Sequence, residues 1–123
     1  MSTLIISARL ARLGDAFLNF VVSAALTLHT ERVEGVKVPG KVLASVFAAS
    51  LLAHKCRCPS RKLERSEVVE ALFGHAWLNG WITAEEGVQR LFEELRSGAS
   101  LEEGLRNLLD SLVRDFERIE VVD

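Results

Sequence analysis

Apolar residues recur along most of this chain at steps of three and four, the spacing that gives a helix one buried face. No stretch combines strand-like alternation with flanking turns for long enough to suggest a sheet. The pattern predicts an all-α domain of six helical pieces. A short segment, Leu4 to Arg12, leads into a long helix from Leu13 to about His29, where Leu13, Phe17, Phe20, Val21, Ala24 and Leu28 form an apolar stripe. Thr30 to Val38 is polar, contains Gly35 and reads as a loop. Pro39 suits the first turn of a third helix, where its missing N–H costs nothing. That helix runs to about Lys55, with Val42, Val46, Ala49, Leu52 and Ala53 facing inward. Cys56 to Leu63, with Pro59 and Ser60, reads as a loop before a fourth helix from about Glu64 to Asn79, ended by Gly80. Thr83 with Glu86 and Ser100 with Glu103 are capping-box pairs. They open a fifth helix to Arg96 and a last one to about Ile119.

A chain of 123 residues that is 49% hydrophobic fits one domain, residues 1–123, with an ordinary core. The net charge of −2 provides no long-range basic field, so a nucleic-acid surface would have to be a local patch. The start has no basic segment followed by an apolar run. The longest weakly polar stretch, Val42 to Ala53, is shorter than the roughly twenty residues a bilayer requires. The expectation is a cytoplasmic protein with no membrane partner. Cys56 and Cys58 flank a single residue, so a bridge would close a very small ring. His54, Cys56 and Cys58 also lack the wider spacing of zinc sites. Two ordinary loop thiols is the simpler reading.

Two acidic clusters interrupt apolar helices. Asp15 follows Gly14, which lets another backbone approach, and Asn19 lies one turn beyond it on the same face. Glu67 and Glu70 are neighbours at i,i+3, and carboxylates held close need a cation, proton or basic group between them. Hard oxygen donors of this kind suit Mg²⁺ or Mn²⁺. Glu67 alone is equally well explained as a first-turn acid favoured by the helix dipole. Asp15 and Glu70, flanked by core-type residues, are not so easily dismissed. His75 lies well round the helix from Glu70 and reads as a packed or interface histidine.

The run Leu13-Gly14-Asp15-Ala16-Phe17-Leu18-Asn19 resembles the helical signature of ribonuclease III. Glu67-Val68-Val69-Glu70-Ala71-Leu72-Phe73-Gly74 resembles its second motif, and Leu78-Asn79-Gly80 the turn after it. The resemblance spans roughly residues 7 to 97 and implies a compact ribonuclease III endonuclease-like helical fold. It implies a metal-dependent endoribonuclease acting on double-stranded RNA, with Asp15 and Glu70 as the essential metal-binding pair. Glu67 would be the supporting acid and Asn19 a residue behind them. One departure is Ala11, which stands where full-length enzymes carry a further glutamate; the short forms called Mini-III are similar to this chain there. The alternative is a ribonuclease III-like RNA-binding or dimerisation module without catalysis.

RNA contact requires cations near those acids. The loop before Glu67 supplies Lys55, Arg57, Arg61, Lys62 and Arg65, which read as phosphate contacts or, equally, as a solvated surface loop. A homodimer is expected, because cutting both strands of a duplex takes two sites related by a two-fold axis. Phe47, Ala48 and Leu51 lie off the inward face of the third helix. With Trp77 and Trp81 near the end of the fourth, they could form the interface unless the last helix folds over them.

Overall fold

The computed structural model describes residues 2–57 and 63–123 and is mostly helical. A strand β1 (Thr3–Ser7) and a short 3-10 turn (Ala8–Leu10) lead into α1 (Ala11–Thr30). Then come α2 (Gly40–Ala49), α3 (Leu52–Lys55), β2 (Cys56–Arg57), α4 (Arg65–Leu78), α5 (Ala84–Arg96), α6 (Leu101–Val113) and β3 (Arg118–Val122). Helices α4 and α5 begin and end close to where the sequence places them, and α6 begins there. Thr83 and Ser100 accept from the backbone N–H of Glu86 and Glu103, while Glu86 and Glu103 reach back to the N–H of Thr83 and Ser100.

The expectation of no sheet is corrected. The three strands form a small parallel sheet in the order β1-β3-β2, with Thr3 opposite Arg118 and Cys56 opposite Ile119. Residues read as a helical start and a helical end alternate instead: Leu4, Ile6, Ile119 and Val121 are buried, while Thr3, Ile5, Arg118 and Val122 point outward. The last helix accordingly stops at Val113.

The third helix is also broken. Ser50 is extended, its hydroxyl donates to the Phe47 carbonyl at 2.8 Å, and the Leu51 N–H is taken by Asp110 Oδ1 at 2.8 Å. Leu43, Val46 and Leu52 are its buried apolar residues, whereas Ala49 faces out.

Helix α1 is the axis of the fold, packed against α4 and α5. Its buried face is Ala11, Gly14, Phe17, Leu18, Val21, Val22 and Ala25. Phe20 and Leu28, read from the sequence as part of the stripe, are 54% and 52% exposed. The segment Ala8–Thr30 is long and apolar enough to cross a bilayer, which the search for a single weakly polar run overlooked; here it forms part of the core.

The α1–α4 contact is made backbone to backbone. A Cβ on Gly14 would fall inside the carbonyl group of Glu70, and one on Gly74 would strike the Leu10 carbonyl and the Gly14 nitrogen. Phe17 and Phe73 stack beside this crossing with ring centroids 6.1 Å apart. After α1, Glu31 turns the chain in the left-handed region at φ 61°, and residues 31–39 run back along the helix. Three α1 side chains one turn apart hold that segment. Thr27 Oγ1 accepts from Glu34 N–H at 2.8 Å, Ser23 Oγ from Val36 N–H at 2.9 Å, and Asn19 Oδ1 from Val38 N–H at 2.8 Å.

The glycine crossing gives a direct test. Gly14→Ala and Gly74→Ala each force two backbones apart. Each is expected to lower the unfolding free energy in urea by about 3 kcal/mol or more, the upper range for overpacking. A control at solvent-facing Gly35, beside which an added Cβ meets nothing, should stay within about 0.5 kcal/mol.

Candidate active site

Because Gly14 sits on the Glu70 carbonyl, the next residue, Asp15, is carried to the Glu70 side chain. The two carboxyl groups share a hydrogen bond. Burial pushes Glu70 up, and the hydrogen bond and negative charge of Asp15 add to it, bringing it to about 7. At Asp15 burial also pulls upward. It is outweighed by the hydrogen bond from Glu70 and by the Lys37 ammonium, which hold Asp15 below the ordinary carboxylate range. Below about pH 7 Glu70 is thus the member of the pair that carries a proton, and Asp15 the member that is ionised.

The loop zipped along α1 provides the rest of the shell. Lys37 Nζ lies 3.2 Å from both carboxylate oxygens of Asp15. Asn19 donates its Nδ2 to Asp15 Oδ1 at 3.2 Å while its own oxygen holds the Val38 N–H, which fixes the amide's orientation. The Lys37 side chain is 74% exposed, so this ion pair contributes little to stability and its ammonium is readily displaced.

Glu67 stands beside the pair. Its Oε1 accepts from the Glu64 N–H at 3.2 Å, closing the first turn of α4, and its charge helps to push Glu70 upward. Among the described residues no three His, Cys, Asp or Glu side chains converge closely enough to hold an ion by themselves. Ala11, one turn before Asp15, is buried in the core at 8% exposure.

The basic loop is divided. Lys55 Nζ donates to the carbonyls of Val113 and Arg114, both at 3.0 Å. That ammonium closes the C-terminal end of α6. Arg57 is exposed on β2, with Nη1 on the Cys56 carbonyl at 3.2 Å. Arg65, at the start of α4, lies 6.0 Å over the Phe47 ring. Arg61, Lys62 and Cys58 fall outside the described residues. His75 packs edge-on against Trp81 at 5.0 Å, and burial pushes it down.

Lys37 is the residue that sequence reasoning missed. Its signal was the polar ladder Asp15, Asn19, Ser23 and Thr27 at steps of four. On a helix that ladder marks the track of a bound segment.

A sequence profile of the family Ribonuclease III matches residues 8–118. No curated protein shows a significant sequence match to the chain. The profile covers most of the chain and includes both helices that bear the acid pair, so this protein belongs to the ribonuclease III family. Membership supports a ribonuclease III-type role in RNA processing.

The shared proton has a measurable sign. Glu70 titrates near 7 in the fold against 4.5 ordinarily, so the folded state binds this proton more tightly than the unfolded chain. The resulting stability is full below about pH 4.5 and is lost as pH rises through 7. At pH 8 without divalent metal, Glu70→Gln should therefore raise the melting temperature, by roughly 3–6 °C for each kcal/mol of repulsion removed. At pH 4 the same substitution should bring no gain.

Proposed function

We propose that the chain is a metal-dependent endoribonuclease that hydrolyses phosphodiester bonds in double-stranded or structured RNA, working in the cytoplasm as a homodimer. The observation that carries this reading is the meeting of the Asp15 and Glu70 carboxyl groups from separate helices. Such a pair can hold a cation in the proton's place. Two hard oxygen donors suit Mg²⁺ or Mn²⁺, which keep several waters and bind through one or two carboxylates, so a third acid is not required.

When bound there, the ion supplies polarisation of the scissile phosphate and an acidified water. Asp15 is already ionised and offers its oxygens. Glu70 ionises as it gives up the shared proton. Asn19 keeps Asp15 from rotating, through the amide it holds on the Val38 backbone. Lys37, whose side chain is largely in solvent beside Asp15, would supply positive charge to a phosphate held at the pair.

The homodimer draws support from apolar residues left outside. Leu51 is 37% exposed, and Trp77 and Leu78 at the end of α4 are 44% and 58% exposed. Phe47 is half-buried, and α6 packs on α2, so part of the surface assigned to a partner is covered within the chain. Trp81 stacks on Phe116 at 5.6 Å and is covered in the same way on that side.

A second reading, an RNA-binding module without catalysis, is favoured by one observation: Ala11 is packed into the core where a further acid would stand. Cleavage separates the two. Asp15→Asn and Glu70→Gln should each reduce Mg²⁺-dependent cleavage of duplex RNA to background, with helical circular dichroism unchanged. Wild-type protein that binds duplex without cutting it at any Mg²⁺ or Mn²⁺ concentration supports the module instead. Sedimentation equilibrium at micromolar protein should give twice the single-chain mass, and a single-chain mass throughout would refute the dimer.

A further inference from the structure

An open groove of about 520 Å³ lies between the N-terminal ends of α2 and α4. It is lined by Gly40, Lys41, Glu64, Arg65 and Ser66, together with two apolar residues. None of these except Arg65 was singled out by the acidic motifs or the basic loop. The groove does not include the acid pair but lies beside it. Ser66 is one turn before Glu70 on α4, and Gly40 is three residues beyond Lys37 on the zipped loop. Both segments thus lead from the Asp15–Glu70 pair into the groove.

Three features indicate an anion there. Ser66 is only 9% exposed and borders the groove, yet its hydroxyl has no hydrogen-bond partner among the described residues. Its oxygen therefore opens to the groove rather than into the core, and a ligand can take the place of water there. The cap of α2 is Pro39, which has no polar side-chain group to offer. The first backbone bonds run from Val42 and Leu43 to Pro39, and the N–H groups of Gly40 and Lys41 have no partner among the described residues. These donors stand at the positive end of the helix. Finally, an added Cβ at Gly40 would stand 3.7 Å from Ser66 Oγ, so the missing side chain leaves the space in front of that hydroxyl open.

Charge narrows the ligand. Lys41 and Arg65 bring two positive charges and Glu64 one negative charge, a net of +1 that matches a phosphodiester monoanion better than a phosphate dianion. We propose that this groove holds a backbone phosphodiester of the RNA, adjacent on the same strand to the one at Asp15 and Glu70. Ser66 Oγ and the Gly40 and Lys41 amides donate to its oxygens, and Lys41 and Arg65 supply the charge. The assignment rests on the RNA reading above. It sets where the strand enters the site and recognises backbone rather than base, so it adds no sequence preference.

The test is binding of a labelled RNA duplex to the full chain in EDTA, which separates binding from cleavage. Lys41→Ala and Arg65→Ala should each weaken binding and reduce the slope of log Kd against log salt by about 1. Ser66→Ala should weaken binding about 3–10-fold at an unchanged slope, as expected for loss of one neutral donor. Gly40→Ala, which meets only ordinary contacts, should do likewise without lowering the melting temperature. Wild-type affinity in both Ser66→Ala and Gly40→Ala, with wild-type protein binding the duplex, would overturn the groove and leave the nuclease reading intact. Wild-type protein that binds no duplex would overturn both. Inorganic phosphate, followed by backbone amide NMR, is the remaining arm. Saturable shifts at Gly40 and Lys41 that also displace the RNA would make the groove a site for free phosphate and overturn the phosphodiester assignment.

Discussion

Helices α1 and α4 meet with glycines at their closest approach, and the pairing of Asp15 with Glu70 follows from that contact. Gly14 rests on the Glu70 carbonyl and Gly74 on the Leu10 carbonyl. Each glycine costs its helix about 1 kcal/mol in intrinsic propensity relative to alanine. The cost is met by the tight packing around them, where Val69, Leu72, Phe73 and Val21 are fully buried. The same approach forces Asp15 against Glu70, an arrangement that electrostatics opposes. The fold retains it through a shared proton and the Lys37 ammonium. The tightest point of packing and the point of greatest electrostatic cost therefore coincide, as is expected where a structure departs from local preference for the sake of function.

Lys37 illustrates how a flexible cation can be delivered to a rigid site. The backbone of residues 34–38 is fixed at three points to hydroxyl and amide groups on α1, while the lysine side chain remains largely in solvent. Its ammonium is bound to Asp15 but can leave it at little energetic cost. A buried cation would have locked the acids into one state. An exposed one balances their charge without fixing it.

The helices from α4 to α6 were legible because their signals are local: capping boxes at Glu86 and Glu103, glycine stops at Gly80 and Gly98, and regular apolar spacing. The acid pair could be read because Asp15 and Glu70 each break an apolar run within a motif. The strands could not, since five alternating residues carry weak periodicity and their partners lie at the far end of the sequence. The break at Ser50 depends on Asp110, sixty residues beyond it, and no local pattern announces it. Helix α1 misled in a different way. It packs on two helices over a broad face, so its many apolar residues fit several stripes, and only the packing shows that Phe20 and Leu28 lie outside.

The sheet also bears on how the molecule comes together in time. Ser2 and Glu117 meet across 115 residues of chain, and β3 lies between the other two strands, so no part of the sheet can pair until β3 is available. Contacts this distant in sequence carry the greatest loop-closure cost and belong late in folding. During synthesis, α1 and α4 can meet while β3 is still within the ribosome. Until it emerges, the inward faces of Leu4 and Ile6 have no Ile119 or Val121 to pair beside. The sheet is thus the part of the fold whose completion depends most on the end of the chain being available.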